Sequence, residues 1–393
     1  MSQFRRLIGN NDLQSELHCE GADTMQDIVK FVGLDVSMDT IAVAVADAGR
    51  REARYWGTIA HTPEAVKKLL TQLGGTDEIL ACYEAGPTGY ELQRFLNRQG
   101  VQCLVVAPTL IPKRPGDRVK TDRRDAIRLA QLLRACELMP VYVPTEEDEA
   151  LRDLTRLRED VKEDQLRARH RLSKFLLRHD VKPSKKMTKW KSVHRKWLDS
   201  LRFDNRALQL TFQEYLHTLD EIDQRLTRLD KEIHEQALCS SRAPVIEALQ
   251  TLRGIQEITA VTLTVEVGDF RRFATAREFM GYTGLVPSEY SSGLSRRQGN
   301  ITKVGNTHIR RVLVEAGWSY RHRPAVKGDI RRRQEGKPVE ILRMSWNAQD
   351  RLHRKFNRLT SKGKPTNKAV VAVGRELAGF VWAMAIEVQR QMA

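Results

Sequence analysis

The stretch IVKFVGLDVSMDTIAVAVA, residues 28–46, decides the fold. Ile28 to Val36 is a β-branched run, and Thr40 to Ala46 alternates Ile41, Val43 and Val45 with alanine. Such runs, the second with period two, are the mark of packed strands. A third extended stretch spans Arg51 to Ile59. Thr62 then opens a helix, with Glu64 in its first turn and Val66, Leu69, Leu70 and Leu73 along one face. Ile79 to Tyr83 reads as a strand, Tyr90 to Arg98 as a helix closed by Gly100, and Val101 to Ala107 as a strand. A helix from Arg123 to Ala135 follows. The order β-β-β-α-β-α-β predicts an α/β domain with a mixed sheet over residues 27–144.

Outward from this domain the text changes. Residues 1–26 carry no periodic pattern and are expected to be a disordered tail, with Met25 as an alternative start. Residues 145–240 read as two long charged helices around a basic break, Lys182 to Ser192, that contains Pro183. In the second helix Phe212, Tyr215, Leu219, Ile222, Leu226, Leu229 and Ile233 recur at alternating spacings, which is a heptad seam. The first, with Leu151, Leu154, Leu157, Val161, Ala168 and Leu172, is similar but broken at Asp164. A coiled coil, either an antiparallel pair or a dimerisation arm, is expected; ordinary amphipathic helices in a bundle are the alternative. Residues 241–393 read as a mainly helical domain punctuated by glycines.

The chain has 393 residues, 41% of them hydrophobic and 30% charged, enough for two or three cores under a polar surface. A formal net charge of +16 points to a polyanionic partner, with nucleic acid first. Ala369 to Ile386 is apolar but interrupted by Arg375 and Glu376, and reads as too short to span a membrane. Nothing after Arg5 and Arg6 resembles a secretory signal, so a cytoplasmic, nucleoid-associated protein is expected. The 5 cysteines, without a Cys-x-x-Cys pair, read as buried free thiols.

Four carboxylates fall where an open α/β sheet gathers function. Asp35 ends the first strand, Glu84 ends the fourth, and Asp122 and Asp125 open a helix with both on one side. Converging, they would suit Mg²⁺ or Mn²⁺, hard cations that take oxygen ligands and serve phosphodiester cleavage. The plainer alternative makes Asp35 and Glu84 turn residues and Asp122 an N-cap. Asp39 and Asp117 are read as turn residues.

GLDVS, YEAGPTGY and KTDRRDA together resemble the successive blocks of the DEDD insertion-sequence transposases. The resemblance implies a RuvC-like RNase H fold and assigns Asp35, Glu84, Asp122 and Asp125 as the metal-binding acids. The later blocks TLRGIQEITAVTLTVEVGDFRRF and GYTGLVPSEYSSGLSRRQGNITKVGNTHIRRVLVEAGW resemble the family's C-terminal transposase domain. There the family carries a nucleophilic serine, as serine recombinases do, and the matching residue is Ser292. Ser291 is its confusable neighbour and Tyr290 a rival nucleophile. The usual second glycine of the GIG-like turn is Gln256 here, which weakens a helix-hairpin-helix reading of Gly254 to Ala260. From the residues alone, Ser-Ser-Gly is a common surface turn, and the serine has no His or Lys within four residues to activate it. Arg296, Arg297, Lys303, Arg310 and Arg311 form a basic surround suited to phosphates.

The resemblance further implies a composite site between subunits of a homo-oligomer, dimer or tetramer, and a structured guide RNA from the element that selects the DNAs. Two other readings stay open: a resolvase-like nuclease that uses water and the four carboxylates alone, and a non-enzymatic architectural protein.

Overall fold

The computed structural model describes residues 28–112, 121–183, 187–292 and 295–392. The expected tail and Asp117 lie outside them. The chain divides into two compact units, Met1–Val143 and Pro144–Ala393, each described by itself.

The first unit runs β1 (Lys30–Val36), β2 (Thr40–Asp47), β3 (Arg54–Ala60), α1 (Pro63–Leu73), β4 (Ile79–Glu84), α2 (Glu91–Arg98), β5 (Gln102–Val106) and α3 (Asp122–Arg134). Its five-stranded sheet has the order β3-β2-β1-β4-β5. β2 is antiparallel to β1 and β3, whereas β4 and β5 run parallel to β1 and to each other, giving the mixed sheet that the alternation predicted. The same alternation sorts the helices. Ile41, Val43 and Val45 meet the apolar faces of α1 and α2, through Val66, Leu69, Leu92 and Leu96. Ala42, Ala44 and Ala46 face the other way, toward Ala126, Leu129, Ala130 and Leu133 of α3. Small side chains on that face let α3 lie close. At Gly33 of β1 a Cβ would overlap the backbone of Ala126 and Ala130, so the helix rests on the strand itself.

Most boundaries fall within two residues of expectation, and two of the differences bear on the site and the sheet. β3 begins at Arg54, and α3 is capped by Thr121 rather than Asp122, with Thr121 Oγ1 accepting from the Arg124 amide at 3.4 Å. Thr62 caps α1 as read, accepting from the Ala65 amide.

The second unit holds α4 (Glu146–Arg178), α5 (Ser192–Ser200), α6 (Arg206–Cys239), α7 (Ala243–Leu249), α8 (Glu257–Val267), α9 (Ala276–Tyr282), β6 (Pro287–Ser292), β7 (Ser295–Ile301), α10 (Thr307–Gly317), α11 (Asp329–Gln334), α12 (Val339–Ser361) and α13 (Thr366–Met392). α4 and α6 pack along one another. Arg158 meets Asp230, Gln165 meets Asp223 and Phe175 meets Phe212, an order that makes the pair antiparallel. The seam is therefore covered within the chain. Phe212, Leu219, Leu226 and Ile233 are buried, while Tyr215, Ile222 and Leu229 are only partly so. The break read at Asp164 does not interrupt the helix. It marks buried Gln165, whose amide donates across the pair to Asp223.

Leu219 and Leu226 supply the first prediction. Replacing either with lysine forces a charge into a covered seam, at a cost of about 2–5 kcal/mol, comparable with a large-to-small core change. Denaturant unfolding should show the loss, and sedimentation should show an unchanged subunit count. A drop in mass without a drop in stability would mean that the seam faces another subunit.

The last apolar stretch is longer than the sequence suggested. α13 is a 27-residue helix, long and apolar enough by composition to cross a membrane. Here Val370, Val373, Leu377, Val381 and Met384 are fully buried in the core formed with α7, α9, α10 and α12. Among the described cysteines Cys82 and Cys103 are buried as expected, but Cys136 and Cys239 are exposed; all four are free.

Candidate functional site

The sheet brings two of the four acidic positions to one edge through backbone registry, and helix α3 supplies the other two there. β1 and β4 are parallel neighbours with Leu34 opposite Tyr83, so Asp35 and Glu84 are the next residues on adjacent strands. α3 crosses β1 at Gly33, and near its C-terminal end Arg134 donates to the Asp47 carbonyl at 3.1 Å. Asp47 pairs with Lys30 at the start of β1, so the opposite end of α3, with Asp122 and Asp125, points to the Asp35 edge.

Asp35, Glu84 and Asp125 are half-buried and Asp122 is exposed. Oδ2 of Asp125 is buried without a hydrogen-bond partner among the described residues. A carboxylate oxygen left so is costly, by about 1–3 kcal/mol or more for a charged group, and a cation would relieve it. The first turn of α3 also favours negative charge through the helix dipole, which suits both aspartates. Among the described residues, however, no group of three or more His, Cys, Asp or Glu side chains is placed to hold a metal ion. The donor set and the orphaned oxygen fit a divalent cation; the side chains share an edge without closing on one. The loop after Glu84 is fixed by the Tyr83 hydroxyl, which donates to the Gly89 carbonyl at 2.9 Å. Burial raises the Tyr83 hydroxyl well above its ordinary pKa, so it stays a donor. Asp39 sits exposed in the turn between β1 and β2, as read.

The serine block forms an element that the sequence reading did not foresee, an exposed β-hairpin of β6 and β7. Ser292 stands opposite Ser295 at the tip, Ser291 opposite Arg296 and Tyr290 opposite Arg297. The two serines differ chemically. Ser291 Oγ donates to Glu289 Oε1 at 2.8 Å, whereas Ser292 Oγ makes no hydrogen bond among the described residues. Tyr290 is 76% exposed.

The base of the hairpin is locked. Gly284 and Gly305 both have left-handed φ, and a Cβ at either would overlap a carbonyl oxygen, of Val304 and Tyr282 respectively. Asn306 caps α10 through the Ile309 amide and donates to Glu266 Oε2 at 2.6 Å. Glu266, its side chain 1% exposed, also receives Arg156 of α4 at 2.7 and 2.9 Å. A paired and fully bonded buried carboxylate of this kind fixes geometry. Arg156, Glu266 and Asn306 were not singled out from sequence; an asparagine just ahead of a helical run was the available signal.

Of the basic surround, Arg310 donates to the carbonyls of Thr283 and Val304 at 3.1 and 3.3 Å, holding the same base. Arg311 is paired with Glu159 at 2.6 Å and Glu315 at 3.2 Å, and Glu159 also takes His308 Nδ1 at 2.8 Å. Burial pushes the Glu159 carboxyl up, but the hydrogen bonds from Arg311 and His308 outweigh it and hold it below the usual range. Arg297 and Lys303 are exposed and make no ion pair among the described residues. The Arg296 side chain lies outside them. The GIG-like turn is committed internally: Arg333 donates to the Gln250 and Ile255 carbonyls and Ser345 to that of Thr251. Gln256 precedes α8 without a side-chain capping bond.

Comparison with known proteins bears on both halves. Residues 32–180 match the DEDD IS110 family model described as "Transposase". Residues 246–330 match that described as "Transposase IS116/IS110/IS902 family". The chain is 42% identical over 363 residues to a putative transposase, y4qE, of Sinorhizobium fredii, covering 92% of this chain and 89% of the relative. It is 35% identical over 337 residues to the transposase for insertion sequence element IS1533 of Leptospira borgpetersenii, covering 85% of this chain and 97% of that one. A more distant relative, 20% identical over 371 residues, is the transposase for IS1111A of Coxiella burnetii. With both blocks matched in order and relatives of this identity aligned over most of their length, the chain belongs to the IS116/IS110/IS902 family of insertion-sequence transposases.

Proposed function

We propose that this transposase breaks and rejoins DNA with two groups of its own residues: Asp35, Glu84, Asp122 and Asp125 as ligands for Mg²⁺ or Mn²⁺, and Ser292 as nucleophile. The observation that carries the reading is the contrast at the hairpin, where Ser292 is exposed at the tip of a locked base and Ser291 is bonded to Glu289. The strand order, three antiparallel strands followed by two parallel ones, supports an RNase H-like assignment for the first unit. Bound divalent cations supply charge that activates an attacking oxygen and steadies a leaving one. The Ser292 hydroxyl oxygen forms the new P–O bond and gives up its proton; the strand's bridging oxygen leaves and is protonated. Reversal by a DNA hydroxyl restores the serine and joins the strands. Arg297 on β7 and Lys303 just beyond that strand serve as phosphate contacts. The family resemblance and the +16 charge support a structured guide RNA as second partner and a site completed by a further subunit. The water-only nuclease remains the second reading, because the carboxylate edge stands by itself in the first unit.

The test uses DNA carrying the element's ends with purified protein and Mg²⁺. Joined recombinant product without a nucleotide energy source is expected; cleaved ends alone would favour the nuclease, and no strand cutting would leave an architectural protein. Salt titration separates the basic residues. Arg297→Ala with Lys303→Ala should lower the salt slope of DNA binding by about two contacts, at roughly −0.9 each. Arg310→Ala should instead lower the unfolding temperature, because it releases two carbonyls. An equal slope change from all three would return Arg310 to the phosphates.

A further inference from the structure

The end of the α4–α6 pair carries charge that the preceding argument does not use. In the sequence, residues 181–202 hold six lysines, two arginines and one aspartate, a net +7 of the chain's +16, with Lys185 and Lys186 outside the described residues. Lys182 pairs with Asp180, Arg195 with Asp199 and Asp220, and Arg202 donates to the Asp199 and Leu201 carbonyls. Lys189, Lys191 and Lys196 are exposed and make no ion pair among the described residues. Three like charges within eight residues of sequence repel unless a polyanion neutralises them.

Beside them lies a pocket whose walls include Pro183, Lys189, Trp190, His194 and Trp197. His194 stands between the two indoles, with ring centroids 5.1 Å from Trp190 and 5.3 Å from Trp197. Trp190 and Trp197 are only partly buried, and the core beneath is built around Phe175 and Phe212. Two features of the pocket wall are unfavourable as they stand. Trp190 has φ 63, a left-handed backbone that bulky residues rarely adopt. His194 is 5% exposed, and its Nδ1 lacks a hydrogen-bond partner among the described residues.

We propose that this tip binds unpaired nucleotides of a nucleic-acid strand, a base entering the pocket against Trp190 and Trp197 while flanking phosphates lie on Lys189, Lys191 and Lys196. Interleaved indoles and lysines form the stacking platform and electrostatic track that single strands require. A duplex keeps its base faces stacked and offers phosphates alone, and an acidic peptide would use the lysines but leave the indoles idle. The site shares no residue with the acid edge or the serine hairpin and is read by binding alone.

The experiment titrates full-length protein, in EDTA, with labelled oligouridylate, labelled oligothymidylate and the oligothymidylate–oligoadenylate duplex, following anisotropy and tryptophan fluorescence. Either single strand should quench tryptophan emission, and the duplex should not. Changing Lys189, Lys191 and Lys196 together to Ala should lower the salt slope on single strands by about two, at roughly −0.7 per contact. It should weaken binding about tenfold at moderate salt. Trp190→Leu should weaken single-strand binding with duplex binding unchanged; the lysine variant, altering exposed side chains only, keeps the test valid if Trp190→Leu misfolds. Wild-type single-strand affinity and slope in the lysine variant, or quenching by the duplex equal to that by the single strands, would overturn the assignment. Failure here leaves the cutting chemistry untouched, because no cutting takes place in EDTA.

Discussion

Ser292→Ala should eliminate a covalent protein–DNA adduct that Ser291→Ala largely retains. A serine nucleophile keeps the phosphodiester energy in a phosphoserine bond, so a DNA substrate nicked to lose the rejoining hydroxyl should trap protein on a DNA end. The structure gives the two serines different starting points. Ser291 Oγ is already a donor to Glu289 at 2.8 Å, while Ser292 sits at the turn of β6 into β7, exposed. A serine hydroxyl is a weak nucleophile and needs help, so acid-edge variants should lose the adduct as well. Loss of an acting nucleophile reduces turnover by orders of magnitude, about 10⁶-fold where such groups have been removed elsewhere. Peptide mapping of the adduct decides between residues. Attachment at Tyr290, 76% exposed on the same strand, or cutting that persists in Ser292→Ala without any adduct, would sink the assignment.

What could be read from the sequence depends on whether burial leaves a pattern. Ile41, Val43 and Val45 against Ala42, Ala44 and Ala46 announce both the strand and its two differently packed faces, because each face meets a helix layer. The hairpin of β6 and β7 leaves no such trace. Along Ser288 to Asn300 side chains are exposed or half-exposed where described, so no apolar alternation is needed and none is written. Roles within the basic surround were hidden for a related reason. Arg297 and Arg310 are both simply arginine in sequence, but only tertiary packing puts the carbonyls of Thr283 and Val304 beside Arg310. The heptad seam was legible as a seam, and its partner was not: the spacing of Phe212, Leu219 and Leu226 is the same whether the covering helix is α4 or another subunit's. At the acid edge, strand ends singled out Asp35 and Glu84 as candidates, and an N-terminal turn singled out Asp122 and Asp125. Their mutual distances depend on side-chain positions that no spacing encodes.

That edge yields the second large effect, in activity and in stability with opposite signs. Asp125→Asn should abolish recombination while leaving the metal-free protein as stable as wild type or slightly more so. Oδ2 of Asp125 is buried without a hydrogen-bond partner among the described residues, so a neutral amide removes the charge from that oxygen at little steric cost. Wild type should gain thermal stability on adding Mg²⁺ or Mn²⁺, by about 2.7 kcal/mol at a hundred times Kd through mass action on the folded state. The variant should gain much less, and the two unfolding curves should therefore cross as metal is added. Asp35→Asn and Glu84→Gln should lose the metal response too, since they stand on adjacent strands at the same edge. Because stability rises with metal only if the folded protein binds it better than the unfolded chain, calorimetry with and without the cation reads the site independently of DNA. Equal stabilisation of wild type and all three variants would place any bound cation elsewhere, and loss of stability in metal-free Asp125→Asn would make that carboxylate a structural cap rather than a ligand.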